Sequence, residues 1–289
     1  MSDRPLPPAL PHGPLTEVFT DVFLVAGAAR IAAPVTILGS RNMVVVRTGR
    51  SLTLINTLRM DDAGLAALDA LGRVEHVVRL AGFHGSDDPF YKQRYGATVW
   101  AVPGHAYATG FDVSPPPEKH YFHADRLLGD ELPVRGRLYT FRSCPNGEGL
   151  LLLDREGGVL ISGDALQNWA EPDAYFNLIG RLAFRALGFL KPYNVGPGWL
   201  RQLKPDPEEL RGVLALPLSA CASPKQGAAP GRTTSVRSVG TAWVVCKSGS
   251  TPERMSDDLP APDAPTTLTM RAPEVRVCAI WAMSRSRPK

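Results

Sequence analysis

The sequence lacks several features that would assign it at once to a class of protein. No apolar run reaches about 18 residues, so the sequence predicts no transmembrane helix. The proline-rich start, residues 1–14, lacks the apolar core of a signal peptide. The four cysteines include no C-x-x-C pair, which argues against a zinc ribbon or a disulfide framework. We therefore expect a cytoplasmic protein with reduced thiols.

Histidine and aromatic residues are missing or scarce in the last quarter of the chain. All six histidines precede position 124, and only Trp243 and Trp281 are aromatic after Pro217. Residues 218–289 also carry ten basic and five acidic residues, so the net charge of +4 belongs to this tail. Without a basic face on the aromatic-bearing part, we expect no nucleic-acid partner. We also expect no membrane partner. The sequence identifies neither the small-molecule substrate nor the oligomeric state.

These contrasts divide the chain into three parts. Residues 1–15 are expected to be a disordered start, 16–217 a folded domain, and 218–289 a low-complexity tail that buries too little to fold. Within the tail only residues 241–246, T-A-W-V-V-C, have the pattern of a strand. Two explanations of the tail remain open. It is either a natural disordered extension or the product of a reading frame shifted near Pro217, which would leave the fold incomplete.

The order of elements in 16–217 predicts an α/β fold. Residues 42–47 and 51–56 have the pattern of two strands joined by a turn at Gly49. A helix follows, with an acidic start at Asp61 and Asp62 and a glycine, Gly72, at its end. Residues 74–80 and 98–102 are apolar strands, and a short helix begins near Pro89 between them. Strands that alternate with helices in this way favour a mixed sheet.

A second hairpin and a further helix complete the domain. Residues 149–154 and 158–162 predict the hairpin, and residues 177–190 predict an amphipathic helix with Arg181 and Arg185 facing outward. Its apolar positions are expected to form one face: Leu178, Ile179, Leu182, Ala186, Leu187 and Leu190. A last helix is expected from residue 206, with Pro207 in its first turn.

Chemistry is most concentrated in the loop F-H-G-S-D-D-P at residues 83–89. His84, Asp87 and Asp88 follow a buried strand, and imidazole and carboxylate groups at strand ends are common metal ligands. The alternative is that Asp87 or Asp88 caps the helix that starts at Pro89. Asp164 ends a second strand, L-I-S-G-D-A, where it is either a ligand or a turn residue. The sequence contains neither a G-x-S-x-G elbow nor a phosphate-binding glycine loop.

Together, these segments resemble the metallo-β-lactamase superfamily over residues 16–217. The strand ending L-T-L-I-N-T stands where that family has an L-I-D-T-G-like turn. The loop F-H-G-S-D-D-P stands in place of the family's H-x-H-x-D-H loop. The segment L-I-S-G-D-A resembles the family's segment with a bridging aspartate. The resemblance implies an αβ/βα sandwich of two mixed sheets flanked by helices. It also implies a site for one or two metal ions, usually zinc or iron, whose bound water attacks an ester, thioester, amide or phosphate.

This sequence departs from the family's motif at several positions. Ser86 and Pro89 occupy positions where the family has histidines, and residues 141–149 contain no histidine in the P-G-H-T-like turn. The resemblance therefore leaves His84, Asp88 and Asp164 as ligands of a single divalent ion, zinc or iron, with Asp87 as a spare carboxylate. Asp88 would serve as general base or metal ligand. The sequence thus supports a metal-dependent hydrolase with a degenerate site, or a non-catalytic relative that keeps the fold and has lost the metal.

Overall fold

Two β-sheets face each other and carry helices on their outer faces. The computed structural model of the chain describes residues 6–31, 35–108, 114–155, 158–192, 194–213, 236–239 and 242–245. The larger sheet has seven strands in sequence order: β1 (Thr16–Phe19), β2 (Val22–Ile31), β3 (Ile37–Thr48), β4 (Ser51–Ile55), β5 (Arg73–Arg79), β6 (Thr98–Ala101) and β7 (Arg126–Leu127). Strands β1 to β4 pair antiparallel, and β4 to β7 pair parallel.

The smaller sheet has five described strands, in the spatial order β13-β14-β10-β9-β8. Their bounds are β8 (Gly136–Thr140), β9 (Gly149–Leu153), β10 (Val159–Ser162), β13 (Val236–Val239) and β14 (Ala242–Val245). Every pair in this sheet is antiparallel, whereas the sequence predicts two mixed sheets. A separate two-stranded antiparallel sheet consists of β11 (Leu166–Gln167) and β12 (Asn194–Val195).

The helices connect the strands or follow them. They are α1 (Asp62–Leu71), α2 (Asp88–Tyr95), α3 (Leu178–Ala186) and α4 (Pro197–Leu203), with a 3₁₀ turn at Pro117–Lys119 and helical residues at 207–213. Helix α1 begins at its predicted cap, since the Asp61 carboxylate accepts a hydrogen bond from the Gly64 amide at 2.8 Å. No helix among the described residues has both the length and the apolar character needed to cross a membrane.

Three clusters of buried side chains separate these layers. One cluster fills the space between the two sheets, with Val44, Ile55 and Val78 from the larger sheet and Leu151 and Ile161 from the smaller. A second cluster packs α1 and α2 on the outer face of the larger sheet, and a third packs α4 on the outer face of the smaller. The predicted αβ/βα sandwich is therefore confirmed.

Two predictions for the later part of the chain have different outcomes. The strand predicted at 241–246 is present as β14, which pairs with β10 and β13. The tail also contains β13, a strand that the sequence does not predict. The other tail residues, and with them the question of a shifted frame, lie outside the described residues. The inward side of α3 differs from the apolar face that the sequence predicts, because Gly180 and Phe184 face the interior and Leu178 and Leu182 are exposed.

Candidate functional site

The candidate site lies where parallel strands β4 and β5 end, next to the end of β10. Asn56 follows β4, and its side chain joins these three strand ends. Its Oδ1 accepts a hydrogen bond from the Leu80 amide at 2.9 Å, and its Nδ2 donates to the Ser162 carbonyl at 3.3 Å. The residues after β5 and β10 are thereby brought to one edge of the sandwich, which is where the sequence places His84 and Asp164.

Arg79, the last residue of β5, supports the loop that carries His84. Its buried guanidinium donates to the carbonyls of Ala81 and Ala106, each at 3.0 Å, and to that of Gly82. The same group lies over the Tyr107 ring, 4.2 Å from the ring centroid. A buried cation therefore occupies the inner side of this loop.

Gly85 makes the sharp turn between His84 and helix α2. Its φ of +89° lies in the region that favours glycine. A Cβ at this position would lie 2.8 Å from Asp88 Oδ2, from Arg79 Cδ and from the Tyr107 ring. Glycine is thus required both by the backbone conformation and by the close approach of the Asp88 carboxylate.

Asp88, the predicted general base or ligand, is fully buried at the start of α2. Its Oδ1 accepts a hydrogen bond from Thr57 Oγ1 and its Oδ2 accepts one from the Tyr107 hydroxyl, both at 2.5 Å. Burial raises the pKa of the Asp88 carboxyl, while these two hydrogen bonds and the Arg79 charge oppose that rise. Asp88 therefore links α2 to Thr57, just after β4, and to the segment around Tyr107.

Asp87 is also buried, and its side chain makes no capping hydrogen bond to α2. Instead Oδ2 accepts from Arg41 Nη2 at 2.5 Å and from the Arg59 amide at 3.0 Å. The alternative in which Asp87 caps the helix through its carboxylate does not match these contacts. Asp87 links the helix start to β3 and to the segment after β4.

His84 and Asp164 do come together, although 80 residues separate them in the chain. His84 Nε2 lies 3.3 Å from Asp164 Oδ1, and both side chains are partly exposed. Gly163 permits this approach, because a Cβ there would lie 2.2 Å from Ala81 Cβ and 3.0 Å from Glu148 Oε1. A solvent-accessible imidazole–carboxylate pair therefore stands at the junction of the two sheets.

Glu148 lies beneath this pair and was not singled out from the sequence. It is completely buried just before β9, and its Oε1 accepts hydrogen bonds at 2.9 Å from the amides of Asp164 and Ala165. Burial, followed by the charge of Asp164, raises the pKa of Glu148 well above its ordinary value. Glu148 Oε2 and Asp164 Oδ2 are buried without a hydrogen-bond partner among the described residues. An acidic residue between a glycine turn and an apolar strand, N-G-E-G-L-L-L, was the available signal for it.

The donor set does not fit the three-ligand metal site that the resemblance implies. Two of the three expected ligands, His84 and Asp164, lie next to each other. Asp164 Oδ2 accepts no hydrogen bond from the described residues. The third, Asp88, is held by Thr57 and Tyr107 beside the Arg79 guanidinium. The described part of the chain contains no group of three or more His, Cys, Asp or Glu side chains arranged to hold a metal ion. Protein sites for zinc commonly use three or four such ligands.

Comparison with known proteins found similarity in structure only. No family model matches the sequence, and no curated protein matches it either. Solved structures similar to the chain include several metallo-β-lactamases. FIM-1 from Pseudomonas aeruginosa, in its mono-zinc form, is 13% identical with a TM-score of 0.41, and the match covers 76% of this chain and all of that one.

Two further examples are of the same kind. DIM-1 metallo-β-lactamase is 12% identical with a TM-score of 0.38, over 72% of this chain and 98% of that one. The enzyme from Erythrobacter litoralis is 12% identical with a TM-score of 0.37, over 66% and 90%. At these identities the similarity concerns the fold, and this chain is similar in fold to metallo-β-lactamases.

Proposed function

We propose that this chain is a non-catalytic relative of the hydrolases it resembles, with hydrogen bonds and an arginine where the family's motif would hold metal. The proposal rests on the hydrogen bonds that the Asp88 carboxylate already accepts. Both of its carboxylate oxygens accept hydroxyl hydrogen bonds at 2.5 Å, in a fully buried position close to the Arg79 guanidinium. A divalent cation at Asp88 would have to compete with these donors and lie near a buried positive charge, which is electrostatically unfavourable.

Under this proposal the loop residues have structural roles. Asp88 holds α2 to Thr57 and Tyr107, Asp87 holds it to Arg41, and Arg79 binds the loop carbonyls. His84 and Asp164 form an imidazole–carboxylate pair at the surface of the junction. The fold is then retained as a stable scaffold rather than as a support for bound metal.

A metal-dependent hydrolase is the second candidate, and one specific observation favours it. Asp164 Oδ2 is buried with no hydrogen-bond partner among the described residues, and His84 lies next to the same carboxylate. His84 and Asp164 would then hold a single zinc or iron ion, which in hydrolases supplies an activated water. The substrate would be a small molecule with an ester, thioester, amide or phosphate group.

Metal content separates the two candidates. The full chain is purified without added metal or chelator, and zinc, iron and manganese are measured by elemental analysis. Thermal unfolding is then followed with EDTA and with added zinc. We expect metal well below one equivalent and a melting temperature that neither addition changes. About one equivalent of metal that is lost in both His84→Ala and Asp164→Ala would overturn the proposal in favour of the hydrolase.

A variant at Asp88 sharpens this test. Asp88→Asn keeps the size of the side chain and one oxygen acceptor, so the local structure should survive. If Asp88 is a ligand, any bound metal should be lost in this variant as it is in Asp164→Ala. Metal that persists in Asp88→Asn but not in Asp164→Ala would place the ion at the His84–Asp164 pair alone.

A further inference from the structure

Exposed large apolar side chains are concentrated around helix α3. Six such side chains are exposed in the described part of the chain, and four of them belong to α3 and the residue that ends it: Leu178, Ile179, Leu182 and Leu187. A fifth, Val35, lies beside the start of the helix, because the carbonyl of the adjacent Thr36 accepts a hydrogen bond from Asn177 Nδ2 at 2.8 Å. Contiguous apolar surface of this kind marks an interaction site more often than scattered single residues do.

The opposite side of α3 already supplies its packing against the protein. Gly180 and Phe184, one helical turn apart, are buried over β3. The Phe184 ring contacts a group of other aromatic rings: Trp169, Phe176 and Phe189. Because this aromatic side fixes the helix, Leu178 and Leu182 are left outward, 72% and 62% exposed. These two leucines also lie one turn apart and form the outer ridge of the helix.

The charge of the same segment has one sign. Residues 178–192 contain Arg181, Arg185 and Lys191 and no acidic residue. Both arginines are exposed, and by helical spacing they border the leucine ridge on one side. A short helix with an outward apolar ridge and a basic border is typical of segments that lie in the interface of an anionic membrane.

We propose that α3 docks the protein on an anionic lipid surface, with Leu178 and Leu182 entering the interface and Arg181 and Arg185 binding lipid phosphates. Charge complementarity favours lipid over a second copy of the chain. Two copies of α3 packed face to face would bring arginines together with no acidic residue of either helix to neutralise them. Anionic headgroups supply that negative charge. The proposal does not depend on whether the chain binds metal.

The proposal differs from the sequence-based expectation that no membrane is a partner. The helical period of 177–190 correctly indicates an apolar face, but that pattern cannot show that Gly180 and Phe184, rather than the leucines, pack inward. That no described helix could span a membrane does not bear on a helix that lies parallel to the surface.

Cosedimentation of the full chain with vesicles tests the proposal. Phosphatidylcholine vesicles are compared with vesicles of equal parts phosphatidylcholine and phosphatidylserine, at low and high salt. We expect binding to the anionic vesicles only, and weaker binding at high salt because exposed charges are screened. The double variant L178E/L182E should lower the partition coefficient by about a hundredfold, since each leucine contributes about tenfold. R181Q/R185Q should lower it by about twenty-fivefold, since each basic residue near an anionic surface contributes about fivefold.

Leu127→Glu is the matched control. Leu127 is also an exposed leucine, 58% accessible, but it lies on β7 and not near β3, on which α3 packs. This variant should bind vesicles as the wild type does, and circular dichroism should show that all variants remain folded. Equal loss of binding in L127E and L178E/L182E would overturn the proposal, as would no binding to anionic vesicles. A dimer in sedimentation analysis that L178E/L182E dissociates, without vesicle binding, would assign the surface to a second copy instead.

Discussion

The hydroxyl of Thr57 lies 2.5 Å from the Asp88 carboxylate and ties the end of β4 to the first turn of α2. The residue pair connects two segments 31 positions apart, and both side chains are buried. A hydrogen bond to a buried charged group is stronger than one between neutral groups. If one partner is removed, the other stays buried with neither a protein nor a water molecule to bond, which lowers the stability of the fold. Asp88 is therefore expected to matter for stability whether or not any metal binds.

Asp88→Ala should lower the free energy of unfolding by about 3 kcal/mol, because Thr57 and Tyr107 lose their acceptor and Arg79 loses a nearby negative charge. Asp88→Asn keeps an oxygen acceptor and should cost about 1 kcal/mol. Asp130→Ala, which removes an exposed aspartate, is the control and should change stability little. Urea denaturation measures all three. An Asp88→Ala protein as stable as the control would show that the carboxylate has no structural role.

Asn56 carries the second stability prediction. It is buried with a φ of +53°, and its side chain bonds both Leu80 and Ser162. Asn56→Ala should lower the free energy of unfolding by about 3 kcal/mol, because two buried hydrogen bonds are lost and alanine is strained in the left-handed region. Asn56→Gly loses the same bonds but accepts that backbone conformation, so it should be about 1 kcal/mol more stable than Asn56→Ala. Equal stability of the two variants would show that the backbone at Asn56 is not strained.

Local patterns in the sequence account for much of the fold. The hairpin at Gly49 is present between β3 and β4, and α1 begins after Asp61 and ends before Gly72, as predicted. These features depend on residues close together in the chain, so period and turn chemistry suffice to predict them. The strand at 241–246 was predicted in the same way.

The site and the orientation of α3 depend on distant contacts that no local pattern encodes. His84 and Asp164 were singled out separately, because each follows a strand. No local pattern shows that Thr57 and Tyr107 donate hydrogen bonds to Asp88. Glu148 was missed because its partners, the amides of Asp164 and Ala165, are 16 and 17 residues away. Helix α3 has apolar residues on both sides, so its period alone could not decide which side is buried.

Cys144 should be chemically inert in the folded protein. Burial raises the pKa of its thiol to about 12, and the charges of Glu148 and Glu209 add to that effect. The reactive thiolate is therefore scarce near pH 8. Iodoacetamide at that pH, followed by peptide mass spectrometry, should leave Cys144 unmodified in the native protein and modify it in urea. Rapid alkylation of Cys144 without urea would contradict the burial of this part of the sandwich.

Acid should destabilise the protein through His105, which packs edge-on against the Tyr107 ring. Burial, and then the Arg79 charge, lowers the pKa of His105 to about 4 from an ordinary value of 6.5. The folded protein thus keeps this imidazole neutral while the unfolded chain protonates it. Its contribution to stability is present above about pH 6.5 and is lost as the pH falls through 4.

His105→Gln removes this titration and can still donate a hydrogen bond to the Val102 carbonyl, which lies 2.9 Å from His105 Nδ1. The free energy of unfolding of the variant should therefore fall less than that of the wild type between pH 7 and pH 4. Urea denaturation at half-unit steps of pH measures the difference. The wild-type protein, measured at the same pH values, gives the reference profile. If His105→Gln follows that profile, the acid sensitivity arises elsewhere and His105 is not held neutral by the fold.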